Sequence, residues 1–369
     1  MTEPVRIAVG MLGSAFMGRA HASAYRALQT TVQPASFIPE LVTVAGRDAE
    51  AVAAAAPRLG FAEGAADWRA LVADPRIALF DDCGPNHLHA EPVIAAVQAG
   101  KHVVCEKPLA RTADESHAMW IAAERAGVKH MTAFNYRFVP AVRLARELLD
   151  AGELGEVRHF RARYLQDWLA DAPHSWRLDA GTAGSGAIGD LGSHLVDLAR
   201  YLVGDLDAVM ATADRLDDRP EAVDAAFQAI VTFAGGASGT LEASRCALGR
   251  KNALAFEING SRGTLSFALE RLNELCWSEG GNGVRTLQVT GDDYPFARWW
   301  WPPGHVLGWE HSFVHELAHL LEAIALDLPV GPHAATFEDG LRAAEACDAI
   351  VVSAGSGRRE AIRARPLAP

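Results

Sequence analysis

The chain has 369 residues, half of them hydrophobic and 22% charged, so it can build more than one core and sits far from compositions that stay disordered. Thirty-four basic residues against 46 acidic ones leave a net charge of −12, which repels phosphate backbones and anionic lipid and argues against nucleic-acid or membrane partners. Five dispersed cysteines without a C-x-x-C spacing argue against a disulfide framework or thiolate zinc site and fit a reducing cytoplasm. The first residues lack the basic and apolar segments of a secretory leader, and no run of about 18 apolar residues occurs.

The first third alternates short apolar runs with amphipathic stretches, the pattern of βαβ units feeding a parallel sheet. Strands are expected over Val5–Leu12, Leu41–Ala45, Ile77–Asp82, His102–Glu106 and Lys129–Phe134. Helices are expected over Ala49–Leu59, Asp67–Ala73 and Glu91–Ala99, and from a Thr112/Glu115 capping box to Gly127. After Asn135 comes one helix, Pro140 to Ala151, and then strand-like runs: Glu156–Tyr164, Val209–Ala213, Ala225–Phe233, Gly239–Arg245, Leu254–Ile258, Gly263–Phe267 and Leu275–Trp277. The helices expected to cover that sheet are Ala187–Leu202, Glu310–Leu326 and Glu338–Val352. The reading is a doubly wound α/β domain of Rossmann type over 1–134, followed over 135–369 by an α+β domain with a large, mostly antiparallel open sheet.

Gly13-Ser14-Ala15-Phe16-Met17-Gly18 follows the first strand and opens a helix, where glycines let backbone N–H groups approach a pyrophosphate. Ala15 stands at the middle glycine position. Strand two ends Ala45-Gly46-Arg47-Asp48; Asp48 suits a ribose hydroxyl and Arg47 an adenine or a 2′-phosphate, so both NAD and NADP are allowed. Asn86 and Lys107 follow strands at the carboxyl edge, where such sheets bind ligands. Asp190 and His194 are four residues apart, on one helical face, and can serve acid-base chemistry.

Taken in order, Gly13-x-Ala15-x-x-Gly18, Pro85-Asn86-x-x-His89, Glu106-Lys107-Pro108, Asn135-Tyr136-Arg137 and Asp190-x-Gly192-x-His194 resemble the glucose-fructose oxidoreductase/inositol dehydrogenase (Gfo/Idh/MocA) family of nicotinamide-dependent oxidoreductases. Two departures are Ala15 for glycine and Gly84 where the family often has threonine. The segments Phe16–His21, Tyr164–Trp168, Ser175–Leu178 and Trp299–His305 are similar to its levoglucosan and inositol dehydrogenase types, which implies sugar, anhydrosugar or cyclitol substrates and a homodimer or homotetramer. The resemblance implies that Pro85 and Asn86 lie toward the nicotinamide, that Glu106 contacts its ribose, that His89 also belongs to the cofactor site, and that Asn135 and Arg137 lie near the carboxamide or substrate.

Oxidising a secondary alcohol needs a base with a pKa near 7. His194 is expected to be that base, with Lys107 stabilising the charge on oxygen and Asp190 binding a neighbouring hydroxyl. Trp168, Trp176, Arg177 and His305 are candidate substrate contacts, the indoles offering faces for sugar C–H groups. His315-Glu316-Leu317-Ala318-His319 also matches the H-E-x-x-H zinc motif, with Glu338 as a candidate third ligand, but a hydrolase leaves the other motifs unexplained, so no metal is expected. The same scaffold also admits a nucleotide-sensing protein without turnover, and a sugar-oxidising lyase or glycosidase-like enzyme that keeps its cofactor.

Overall fold

The structure, a computed structural model, describes residues 3–171, 176–215 and 223–367. The chain falls into two units, one comprising the chain to Phe138 together with Glu310–Leu341, the other comprising Val139–Trp309 with Arg342–Arg365.

In the first unit β1 (Val5–Leu12), β2 (Phe37–Ala45), β3 (Glu63–Ala65), β4 (Leu79–Asp82), β5 (His102–Glu106) and β6 (His130–Ala133) form one parallel sheet. Its strand order is β3-β2-β1-β4-β5-β6, so the direction of winding reverses between β1 and β4. The strands are nearly continuous apolar runs because helices cover both faces, and Val9, Met11, Val44, Phe80 and Val104 are fully buried. The connecting helices are α1 (Phe16–Thr31), α2 (Ala49–Leu59), α3 (Arg69–Ala73), α4 (Ala90–Gln98) and α5 (Ala113–Ala126). Local chemistry sets their ends. The Asp48 carboxylate accepts from Ala51 N–H to cap α2 and Gly60 closes it at φ +90°; Thr112 caps α5 and Gly127 closes it at φ +64°.

The second unit begins with α6 (Pro140–Asp150) and carries a nine-stranded sheet: β7 (Val157–Leu165), β8 (Leu206–Arg215), β9 (Asp224–Phe233), β10 (Ser238–Ser244), β11 (Ala253–Gly260), β12 (Gly263–Ala268), β13 (Glu274–Glu279), β14 (Arg285–Gln288) and β15 (Glu360–Ala361). The order is β14-β13-β12-β11-β7-β10-β9-β8-β15, antiparallel except where β7 meets β10. Alternation divides its faces. Phe160, Ala162, Tyr164, Phe227 and Leu241 are buried, while Arg161, Arg163, Met210, Ile230 and Glu242 line a broad groove on the other face. Before β8 come the single turn α7 (Ala180–Ala183) and α8 (Ser193–Leu202), and α6 and α8 pack on the buried side.

Two expectations differ from the structure. The expected helix Ala187–Leu202 is a π-turn over Ile188–Gly192 that runs into α8, an irregularity frequent at functional sites. The helix His311–Ala325, expected with the second domain, belongs to the first unit, where it packs against α1. Its amphipathic pattern marks one face for burial without saying which sheet receives it.

Candidate active site

The β1–α1 turn is built for close approach. Gly13 adopts φ +99°, and a Cβ there would lie 2.6 Å from the Cys83 carbonyl oxygen. A Cβ on Gly18 would lie 2.1 Å from the Gly13 carbonyl oxygen, so α1 starts directly against the turn. At Ala15 no side chain caps the helix, and its first turn holds no acidic residue. That leaves a helix N-terminus suited to an anion, and a dinucleotide pyrophosphate fits it. Phe16 is exposed, whereas Met17 packs on the core formed by Met11, Val44 and Val52. Arg47 is exposed, and Asp48 spends one carboxylate oxygen on the α2 cap.

A buried polar network lies beneath the carboxyl ends of β4 and β5. His21, on α1, places Nδ1 3.0 Å from both Asp81 oxygens and Nε2 3.1 Å from Glu106 Oε1. Tyr25 donates to Asp81 Oδ2 at 3.0 Å, and the Cys83 thiol donates to Oδ1 at 3.3 Å. A ring carrying hydrogen on both nitrogens donates to both carboxylates. Burial pushes the imidazole down, but Asp81 and Cys83 together outweigh it through charge and hydrogen bonds, and His21 sits well above the ordinary histidine range. The other Glu106 oxygen accepts the Lys107 backbone N–H at 3.0 Å, so the network ends on the peptide that presents Lys107. Asp82 is fully buried, with Oδ1 accepting from Gly84 N–H and Oδ2 without a partner; burial pushes its carboxyl up to about 7.

His89 is buried and bridges two loops: Nε2 lies 3.0 Å from the Gly84 carbonyl, and Nδ1 lies 3.0 and 3.2 Å from those of Pro108 and Leu109. It ties the loop holding half-buried Pro85 and Asn86 to the Glu106-Lys107-Pro108 loop. Asn135 and Arg137 are also buried. Asn135 donates to Ser312 at 2.8 Å and Arg137 pairs with Asp339 at 3.4 Å, so both anchor the returning segment Glu310–Leu341.

In the second unit the π-turn carries Asp190, and α8 carries His194. The Asp224 carboxylate, at the start of β9, accepts Gly186 N–H and Ile188 N–H at 2.7 Å each and so holds the chain entering the turn. Burial pushes the Asp224 carboxyl up, opposed by those two donors. A Cβ on Gly186 would lie 1.7 Å from the Asp224 carbonyl oxygen, which demands glycine. Asp190 accepts from the Arg245 guanidinium at 3.0 Å, and the His194 ring meets Tyr164 edge-on at 5.8 Å. Tyr164 and Gln166 both donate to Asn252 Oδ1, and the Trp168 indole donates to Gln166 at 2.8 Å.

The turn Trp176–Leu178 places the Arg177 carbonyl 3.2 Å from Arg245 Nη1, while the Trp176 side chain lies outside the described residues. His305 is exposed in its loop, its Nδ1 2.7 Å from the Pro302 carbonyl. Sequence reasoning assigns no role to Arg245, Asp224, Asp81 or His21. Each acts on a partner far along the chain. The one local signal is His21 three residues past Gly18, facing the sheet.

Among the described residues His315, Glu316 and His319 do not gather into a group of potential metal ligands. His315 Nδ1 bonds the Phe138 carbonyl at 2.9 Å and His319 Nε2 bonds the Val330 carbonyl at 2.8 Å. Among the described residues the one group of three potential ligands is His21, Asp81 and Cys83, whose hydrogen bonds to one another account for them.

Residues 7–134 match an oxidoreductase family with an NAD-binding Rossmann fold, and residues 142–266 match the Gfo/Idh/MocA C-terminal domain. The chain belongs to the Gfo/Idh/MocA family and is an NAD-binding oxidoreductase. It is 41% identical to levoglucosan dehydrogenase of Pseudarthrobacter phenanthrenivorans, over 94% of this chain and 95% of that one. A structure of levoglucosan dehydrogenase in complex with NADH matches it with a TM-score of 0.94, at 41% identity, over 98% of this chain and all of the other. D-xylose 1-dehydrogenase (NADP(+)) 2 of Haloferax volcanii is 35% identical over 64% of this chain and 68% of its own. No helix among the described residues is long and apolar enough to cross a membrane.

Proposed function

We propose that the protein catalyses reversible NAD-dependent oxidation of one secondary hydroxyl of a sugar, anhydrosugar or cyclitol. Bound NAD supplies the hydride acceptor. His194 takes the hydroxyl proton as hydride leaves the same carbon, and the Lys107 ammonium hydrogen-bonds that oxygen as negative charge develops. Asp190 accepts from a neighbouring hydroxyl, and Trp168 offers an indole face to the ring. Gly13, Gly18 and the start of α1 receive the pyrophosphate, while the Asn86, Glu106 and Asn135 segments stand toward the nicotinamide. The observation that carries this reading is Asp190, clamped by Arg245, one helical turn before His194, which packs on Tyr164. Likeness to levoglucosan dehydrogenase along nearly the whole chain supports an anhydrosugar substrate and NAD over NADP.

The test follows absorbance at 340 nm with NAD and NADP against levoglucosan, other pyranoses and inositols. Net NADH formation is expected; substrate cleavage without it would sink the dehydrogenase reading. Lys107→Ala and His194→Ala are expected to keep NADH binding and lose at least about a hundredfold in turnover.

We also infer a homo-oligomer, dimer or tetramer, in the cytoplasm. The groove-bearing sheet face, with exposed Met210 and Ile230, supports the first, and five free thiols the second. Sedimentation as a monomer would overturn the assembly.

A further inference from the structure

We propose that Arg245 is a positioning residue for sugar binding, setting the Asp190 carboxylate and the Trp168 ring with one guanidinium; this rests on the reading of Asp190 and Trp168 as substrate contacts. Arg245 follows directly on β10 and is 1% exposed. Its backbone is fixed on both sides, its N–H donating to the Ala225 carbonyl at 2.9 Å and its carbonyl accepting Leu169 N–H at 3.1 Å. The head group reaches three partners. Nη2 donates to Asp190 Oδ2 at 3.0 Å, Nη1 donates to the Arg177 carbonyl at 3.2 Å, and the guanidinium carbon lies 5.1 Å from the Trp168 ring centroid.

A buried guanidinium is an expensive way to fill this space, since desolvating a cation is repaid only by well-placed partners. An apolar side chain would cover Trp168 at lower cost. It would take from Asp190, whose side chain is 21% exposed, the charged donor at 3.0 Å. The planar fork does two things that neither a lysine nor an apolar group can do together: it donates in a fixed direction to a carboxylate and lies over an indole. The Trp168 indole is held at its other end by Gln166, so the ring is pinned between the Gln166 amide oxygen and the Arg245 cation. The polar contact for a sugar hydroxyl and the flat contact for sugar C–H groups therefore share one support.

The experiment compares Arg245→Gln, Arg245→Lys, Asp190→Asn and the Arg245→Gln/Asp190→Asn pair in the intact enzyme, measuring kcat, KM for the best sugar found and NADH affinity. Arg245→Gln is expected to raise the sugar KM by about tenfold or more, with a smaller change in kcat and unaltered NADH affinity. Arg245→Lys, which keeps the charge and loses the fork, is expected to recover part of that loss. In the paired variant the Gln change is expected to cost clearly less beyond Asp190→Asn than it costs alone, the remainder reading the support that Arg245 gives Trp168. A sugar KM within about twofold of wild type for Arg245→Gln, or penalties that multiply in the pair, overturns the proposal. Should Arg245→Gln fail to fold, the Lys variant decides, a wild-type sugar KM counting against it. His194→Ala run alongside separates the two readings. Turnover near normal there removes the assigned reaction centre, whereas an inactive His194→Ala beside a wild-type-like Arg245→Gln removes only the role of Arg245.

Discussion

His21 Nε2 stands 3.1 Å from Glu106 Oε1 while Nδ1 of the same ring faces Asp81, so one buried imidazolium joins the carboxyl ends of two neighbouring strands. His21→Ala would leave two buried carboxylates without their shared cation. A loss of about 3–5 kcal/mol is expected, read as a lower urea midpoint. The ring is held above its ordinary value of 6.5 in the folded state, so its contribution is complete below that pH. It is lost only as pH rises through the folded value. The stability gap between wild type and His21→Ala should therefore narrow at alkaline pH; a gap that widened there would contradict the charged ring.

Asp82 shifts stability in the same direction for a different reason: burial disfavours its charged form. Its carboxyl is raised from 3.8 to about 7, so between those values the folded protein holds a proton that the unfolded chain has released. Stability from this group falls as pH rises through that window and levels off above it. Asp82→Asn keeps an acceptor for Gly84 N–H and removes the buried charge. It should gain on wild type by on the order of 3 kcal/mol between about pH 4 and 8, measured by thermal unfolding across pH.

Gly18→Ala tests the cofactor turn, because the new methyl would sit 2.1 Å from the Gly13 carbonyl oxygen and push α1 off its turn. NADH affinity, followed by fluorescence titration, should fall by about tenfold or more. Undiminished binding would mean that α1 does not meet the pyrophosphate.

Asp224→Asn replaces one of two acceptors with a donor facing a backbone N–H. The expected cost is about 1–3 kcal/mol in stability, together with a fall in kcat as the turn that presents Asp190 and His194 loosens. A variant less stable but fully active would show that Asp224 serves the fold alone.

Removing metal should change nothing. Dialysis against EDTA and 1,10-phenanthroline is expected to leave activity intact, since His315, Glu316 and His319 form no cluster of potential ligands among the described residues. Stoichiometric zinc by elemental analysis, with activity lost on its removal, would overturn this.

Much of the first unit is legible in the sequence because its signals are local. β1 and β5 are expected and found over the same residues, and the ends of α5 are written in Thr112 and Gly127, whereas Asp48, read as a ribose contact, caps α2. Short edge strands such as β3 (Glu63–Ala65) and β15 (Glu360–Ala361) carry too few residues for a period to emerge. The π-turn is illegible for another reason: what holds its entry is Asp224, and nothing near Gly186 in the chain announces that partner. The proposed chemistry follows the same division. Lys107, Asp190 and His194 stand in recognisable local contexts, whereas Arg245 reaches Asp190 across 55 residues, and its position after a strand says only that it is near a sheet end.

The return of Glu310–Leu341 to the first unit has a consequence for biosynthesis. The six parallel strands leave the ribosome first, yet the α1 surface that receives His311–Ala325 stays bare while residues 139–309 are still being made. The Phe313 ring that lies tilted against His21, at 5.5 Å, arrives late, as do the Ser312 hydroxyl for Asn135 and the His315 ring for the Phe138 carbonyl. A nascent chain halted near Phe138 would therefore present a sticky, half-clad sheet to chaperones.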